Sequence, residues 1–246
     1  MIKKKHRQFV AVFIDHTNKR VLEVLEGRDK TLVVEYLRKN KEKLFAHLEE
    51  VTCDMWDAYV NAAKEVFDPV RVTIDRFHVM KSFQEQLTEA RREIQRELSK
   101  EAAKELKGTR WLWQTNPENL TDEQRQQLEQ LKERFPRLKQ LVEQRESLRA
   151  IFEDKTIQDA KTGEKRLREW MEQAKALGLK ALEKFSKTLV NWLGLIANYF
   201  VWRSSNGRTE GFNHGLRAIL WRAYGMLNFQ HFRSRVLDRF GMSRKS

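Results

Sequence analysis

Hydrophobic and polar positions fall into three textures along the chain. In the first, Gln8 to Ile14 is mostly apolar and β-prone, and Arg20 to Glu26 alternates around Val21, Leu22, Val24 and Leu25. The polar run His16-Thr17-Asn18-Lys19 between them reads as a turn, so residues 8–26 predict an antiparallel hairpin that Gly27 ends. From Lys30 to Glu49 the apolar positions Leu32, Val33, Tyr36, Leu37, Leu44, Phe45 and Leu48 recur at helical spacing. Glu50 to Cys53 is a short strand ending on Asp54, and Met55 to Phe67 is amphipathic, with Trp56, Tyr59, Val60, Ala63 and Val66 on one side. Asp68-Pro69 marks a turn before the β-branched run Val70 to Ile74, which ends on Asp75. This first third predicts β-β-α-β-α-β. The last two strands flank a helical crossover and are therefore expected to be parallel, with Asp54 and Asp75 at one edge.

The second texture, roughly residues 80–200, is charged and helical without strand runs. One helix is expected from about Val79 to Leu106, closed by Gly108. Trp111, Leu112 and Trp113 form an aromatic knot, and Thr121-Asp-Glu-Gln124 is a capping box for the helix that follows. Pro136 separates that helix from one over Arg137 to Phe152. Leu167, Trp170, Met171, Ala174 and Leu177 mark another helix ending at Gly178, and Phe185 to Phe200 a long aromatic one. These stripes read as helix-packing core.

The third texture opens with Ser204-Ser-Asn-Gly-Arg-Thr-Glu-Gly-Phe-Asn213, polar and glycine-containing between aromatic helices. Beyond it, Arg217, Arg222, Arg233, Arg235 and Arg239 interleave with Trp221, Tyr224, Phe229, Phe232 and Phe240. That pattern predicts a buried aromatic face and an arginine face left for a phosphate backbone.

Composition narrows the function classes. Forty-eight Lys and Arg against thirty-five Asp and Glu leave a net charge of +13, which predicts a polyanionic partner, most simply nucleic acid. The single cysteine, Cys53, excludes an intramolecular disulfide or a zinc cluster of cysteines and suits a reducing compartment. There is no glycine-rich phosphate loop, which argues against a P-loop or dinucleotide-binding enzyme. Phe9 to Ile14 is too short for a signal core, and no window approaches a membrane span, so a soluble, cytoplasmic protein is expected.

Two acids at one sheet edge in a basic protein suggest a magnesium site for phosphate chemistry, since carboxylates bind that ion together with substrate phosphates. On spacing alone Asp75 serves as well as an N-cap for the next helix. Glu210, opening a helix among Arg203, Arg208, Asn206, Asn213 and His214, can equally be a first-turn acid that favours the helix electrostatically.

Several stretches together resemble one family. They are Cys53-Asp-Met-Trp-Asp-Ala-Tyr59, Ile74-Asp-Arg-Phe-His-Val-Met-Lys81, Leu106-Lys-Gly-Thr-Arg-Trp-Leu-Trp113, Asn116-Pro-Glu-Asn-Leu-Thr121, Ser205-Asn-Gly-Arg-Thr-Glu-Gly-Phe-Asn213 and Arg222-Ala-Tyr-Gly-Met-Leu-Asn-Phe229. In this order they look like the catalytic domain of insertion-sequence transposases of the ISL-three group. The resemblance implies an α/β, ribonuclease-H-like mixed sheet with a large all-helical insertion, divided as 1–80, 81–203 and 204–246. It implies an Asp-Asp-Glu triad holding two divalent ions, Mg2+ or Mn2+, that cleave and join DNA strands. Asp54 then corresponds to the second acid and Glu210 to the third, both as catalytic and metal-binding residues. Asp75 and His78 correspond to an accessory Cys/Asp-x-x-His element, and Arg76, Lys81, Arg208, Asn213, Arg217 and Arg222 are the DNA contacts expected beside these acids. Implied partners are transposon ends and target DNA, with a homo-oligomer assembled on DNA near the nucleoid and no membrane.

The family's first acid lies on a strand upstream of the segment matching Ile2 to Val12, which leaves Asp15 as the early acid that could substitute. Its zinc-binding and helix-turn-helix parts are also absent. The expectation is an N-terminally truncated transposase, or alternatively a catalytically inactive remnant that binds DNA or intact transposase.

Overall fold

A computed structural model describes residues 9–67, 69–204, 207–222 and 228–241, with side chains described for all of these except 207–210. The chain divides into two compact units, one of the residues up to Asp75 together with those from Ser204 onward, the other of Arg76–Arg203.

In the first unit, β1 (Val10–Asp15) and β2 (Arg20–Glu26) pair antiparallel, from Val10 opposite Glu26 to Asp15 opposite Arg20. The hairpin follows the predicted boundaries. Its pattern does not alternate strictly because the register shifts between Phe13 and Ile14, so that Phe13 faces Glu23 and Ile14 faces Val21. The extra residue on β2 lets Val21 and Val24, an odd number of positions apart, enter the same core. That core is shared with α11 (Gly207–Arg222) and α12 (Phe229–Phe240), through Leu216, Ile219, Phe232 and Val236. Val10, Val12 and Ile14 of β1 pack on it, whereas Phe13 packs into a second cluster on α1 (Lys30–Leu44) and α2 (Asp57–Phe67). The hairpin therefore has helices on both faces. A bidentate Arg233–Glu23 pair, with Nε donating at 2.6 Å, ties α12 to β2.

β3 (Glu50–Cys53) and β4 (Arg71–Ile74) pair in parallel across α2, as the crossover reading expects. Val51 and Val70 join the α1–α2 cluster with Val33, Val34, Leu37, Ala62, Val66 and Phe67. Among the described residues the antiparallel and parallel pairs are separate two-stranded sheets. The architecture is mostly helical with small sheets, and helices alternate with strands in this unit.

The second unit is entirely helical among its described residues. The single helix expected over 79–106 is instead α3 (Arg76–Glu97) and α4 (Lys100–Glu105). The break is local chemistry: the Ser99 side chain accepts from the Ala102 amide at 3.2 Å and starts a new helix. α5 (Arg110–Gln114) buries Leu112 and Trp113 of the aromatic knot but leaves Trp111 exposed. The Thr121 capping box opens α6 (Asp122–Arg134) and Pro136 opens α7 (Pro136–Glu153), both as their sequences require.

α8 (Ala160–Ala176) and α9 (Lys180–Ala197) follow, and the aromatic run then continues as a separate turn, α10 (Tyr199–Trp202). Leu179 supplies no cap to α9, and Glu93 of α3 takes that role by accepting from the Lys180 and Ala181 amides at 3.1 Å. Phe83, Trp170 and Phe185 form the centre, with ring centroids 4.9–5.8 Å apart. Gly163 is required where α8 meets Phe200, since a Cβ there would lie 2.0 Å from its ring. Buried Arg145 donates to the Trp113 and Thr115 carbonyls at 2.6 and 3.0 Å. Arg203 closes the unit in a left-handed conformation, φ 56°, and donates to the carbonyls of Phe152, Asp154 and Ile157. No helix of the described residues is long and apolar enough to cross a membrane.

Candidate functional site

The two parallel strands and the residues after them read alike: Glu50-Val-Thr-Cys-Asp54 and Arg71-Val-Thr-Ile-Asp75. They pair in that same register, Glu50 opposite Arg71, Val51 opposite Val72, Thr52 opposite Thr73 and Cys53 opposite Ile74. Strand side chains alternate between faces. Val51, Cys53, Val72 and Ile74 therefore share an apolar face, and Thr52 and Thr73 a polar one. The polar face begins with an ion-complementary pair of positions, Glu50 and Arg71, and runs toward two acids. The Asp75 amide donates to the Cys53 carbonyl at 3.1 Å, which carries the ladder one step past its last pair. Asp54 and Asp75 thus end neighbouring strands, which lie about 4.8 Å apart in a sheet.

Electrostatics report the same proximity. The buried Cys53 thiol is pushed up to about 12, first by burial and then by the charges of Asp54 and Asp75. Tyr59 rises to about 12 through burial and the charge of Asp54, opposed by Arg28. Asp75 is fully buried and Asp54 is half-buried. Asp54, half-buried at a strand end, offers hard carboxylate oxygens of the kind that magnesium or manganese takes, whereas Asp75 is closed off from solvent. Among the described residues no three His, Cys, Asp or Glu side chains gather as a metal cluster. Glu210 lies in the first turn of α11, and its side chain is outside the described residues, as is that of Arg208.

Asp15 ends β1 in a different setting. Its carboxylate accepts from the Asn18 amide at 2.9 Å, from Asn18 Nδ2 at 2.7 Å and from Arg20 Nε at 3.2 Å. Burial opposes its charge, but the Asn18 bonds and Arg20 outweigh burial and hold the carboxyl below the usual carboxylate range. These contacts close the hairpin turn.

The remaining predicted residues fall in two places. Arg76, His78 and Lys81 lie in the first turns of α3, in the helical unit. There Arg76 sits over the Tyr199 ring at 5.7 Å, the His78 ring meets Phe77 edge-on, and Lys81 is exposed. Asn213 on α11 is half-buried, whereas Arg217 and Arg222 are exposed. The arginine face expected at the C-terminal end is smaller by one residue than the sequence suggested, because Arg233 is committed to Glu23, while Arg235 and Arg239 are exposed.

Sequence reasoning missed Glu50. Its carboxylate accepts from the Thr73 hydroxyl on β4 and from the Ser204 hydroxyl, six positions before Glu210. It ties the segment leading into α11 to the strand that ends on Asp54. The available signal was the repeat of Val-Thr-x-Asp in the two strands, which marks them as register partners with one polar face.

The sequence profile described as "Transposase", that of the ISL3 group of DDE enzymes, matches residues 1–236. The chain is 24% identical over 232 residues to the transposase for insertion sequence element IS1001 of Bordetella parapertussis, covering 93% of this chain and 56% of that protein. It is 23% identical over 245 residues to the transposase for insertion sequence element IS1557 of Mycobacterium tuberculosis, covering 90% of this chain and 54% of that protein. The chain thus spans little more than half the length of these curated relatives. No solved structure matches it. With the profile covering nearly its whole length, and with acids ending two paired parallel strands, this chain belongs to the ISL3-group family of DDE transposases.

Proposed function

We propose that this chain is a catalytic core for metal-dependent cleavage and joining of DNA strands during insertion-sequence transposition. The observation that carries this reading is the in-register pairing of β3 and β4, which sets Asp54 beside Asp75 at the strand ends. In it, Asp54 and Glu210 would hold divalent cations and Asp75 would shape the strand end. The Glu50–Ser204 bond supports the assignment by starting the segment that carries Glu210 on the same polar strand face. Bound magnesium or manganese would activate the attacking oxygen and stabilise the leaving one at the scissile phosphate. The chain's own residues hold the carboxylates in place, exclude water behind them with Cys53 and Ile74, and offer exposed Arg217 and Arg222 to the phosphate backbone. The two strand pairs would then belong to one ribonuclease-H-like mixed sheet.

A second reading is a non-catalytic DNA-binding or transposase-binding form of the same fold. It is favoured by Asp15, the early acid, whose carboxylate is engaged by Asn18 and Arg20. Incubating the 246-residue chain with supercoiled plasmid and Mg2+ or Mn2+ separates the two. Nicking that disappears in Asp54→Asn and Glu210→Gln supports the enzyme. DNA binding without nicking by the parent chain overturns it in favour of the second reading.

A further inference from the structure

Beside Asp54 lies an aromatic surface that strand cleavage as described does not use. The Asp54 carbonyl accepts the Trp56 amide at 2.7 Å, and the Trp56 carbonyl in turn accepts the Tyr59 and Val60 amides as α2 begins. The Trp56 backbone is thus held between a tight turn and a helix. Its ring is fixed as well: the indole N–H donates to the Arg28 carbonyl at 3.3 Å, and the Arg28 guanidinium lies 4.2 Å from the Trp56 ring centroid. The same guanidinium lies 3.7 Å from the Phe9 ring centroid. A ring this well anchored would ordinarily be covered, yet Trp56 remains 40% exposed and Phe9 44% exposed. An exposed aromatic stiffened by a cation, in a chain of net charge +13, combines the two features that bind unpaired nucleotides: a π-face and positive charge.

We infer that Trp56, backed by Arg28 and Phe9, is a stacking platform for an unpaired nucleobase of the DNA strand whose phosphate lies at Asp54. The inference rests on the proposed function for its ligand class and adds to it the state of the substrate, a base out of the duplex beside the cleaved bond. Taking a base out of the stack is unfavourable, and an aromatic platform offsets part of that cost. The Trp56 amide is bonded to the Asp54 carbonyl at 2.7 Å, so the platform is carried by the same turn as that acid.

The test is DNA binding by the full chain in EDTA, where cleavage plays no part. The probes are an oligothymidine 12-mer carrying one 2-aminopurine and a blunt 12-bp duplex. The parent chain is expected to quench the 2-aminopurine, since stacking on an aromatic ring quenches it. Trp56→Leu should lose the quench and weaken single-strand binding roughly 5- to 100-fold, the range of one base–aromatic stack, with duplex binding changed less than about 2-fold. Trp56→Phe, which keeps an aromatic face, should retain most of both signals. The inference is overturned if the parent chain neither binds nor quenches the single strand, or if Trp56→Leu weakens single strand and duplex equally or neither. It is also overturned if the Trp56→Leu loss follows a change in oligomeric state by sedimentation, which would mark the surface as a protein contact. If the binding differences hold while plasmid nicking is absent, the platform stands and only the enzyme reading falls.

Discussion

The Ser204 hydroxyl donates to the Glu50 carboxylate, which also accepts from Thr73, so a residue from the C-terminal part of the chain is held on the strand that leads to Asp54. Removing one partner of such a bond to a carboxylate costs about 1.5–3 kcal/mol of stability. Ser204→Ala should therefore lower the thermal midpoint by several degrees at most. Its effect on plasmid nicking should be larger, a loss of roughly 10-fold or more, because a displacement of about 1 Å at a reacting centre can cost 100-fold. Equal small losses in stability and nicking would show that the bond has no part in placing α11.

Asp54 and Asp75 end paired strands, and like charges opposite one another on a sheet destabilise it. In EDTA, Asp54→Asn and the parent should unfold within about 1 kcal/mol of one another. With Mn2+ present the parent should become the more stable of the two, because it gains binding energy and the variant does not. Asp75 is fully buried, so Asp75→Ala should cost about 1–3 kcal/mol whether or not metal is added. Calorimetric scans with and without Mn2+ read both effects. An equal loss of Mn2+ stabilisation in the two variants would place Asp75 among the metal ligands rather than beside them.

Asp15 gives a pH dependence of known sign. Its carboxyl is held below its usual range by the Asn18 bonds and Arg20, against the opposing effect of burial. A depressed folded-state value means that ionised Asp15 stabilises the fold above the unfolded-state pKa of about 3.9. That contribution is lost as the pH falls through the lower folded-state value. Asp15→Asn should flatten this part of the acid limb in urea titrations between about pH 5 and 2. Plasmid nicking at neutral pH should stay within about 2-fold, since a hairpin-closing residue acts through stability alone. Loss of nicking in Asp15→Asn with an unchanged acid limb would make Asp15 part of the reacting centre.

Gly215 lies on α11 where a Cβ would come within 2.4 Å of the Phe240 ring of α12. The Phe212 and Phe240 rings meet edge-on at 5.6 Å beside it. Gly215→Ala gains helix propensity, at most about 1 kcal/mol, but the steric cost of overpacking, about 1–3 kcal/mol, exceeds it. Net destabilisation is expected, and adding Phe240→Leu should recover much of it. Additive losses in the double variant would show that the two helices do not meet closely there.

Much of this protein was legible in the residues themselves. The hairpin boundaries, the parallel crossover, the Thr121 capping box, the Pro136 helix start and the helical texture of residues 80–200 all come from local propensity, capping chemistry and period. Asp54 and Asp75 were visible as strand-ending acids for the same reason. Ser99 was also visible, but a continuous apolar period ran across it, and its capping bond decided the break between α3 and α4. The bulge between Phe13 and Ile14, which brings Val21 and Val24 into one core, was not visible, because register is set by the partner strand and the helices packed on it.

The same limit hid the two charges that change the functional picture. Arg233 looks like one more DNA-facing arginine until Glu23, 210 positions away, takes it. Glu50 looks like a surface acid until Ser204, 154 positions away, lands on it. Sequence determined which elements form and which strands end on acids, since those depend on neighbours along the chain. Only the tertiary structure decided which charges remain available and how Asp54 and Asp75 stand to one another, because those depend on groups that meet only when distant segments pack.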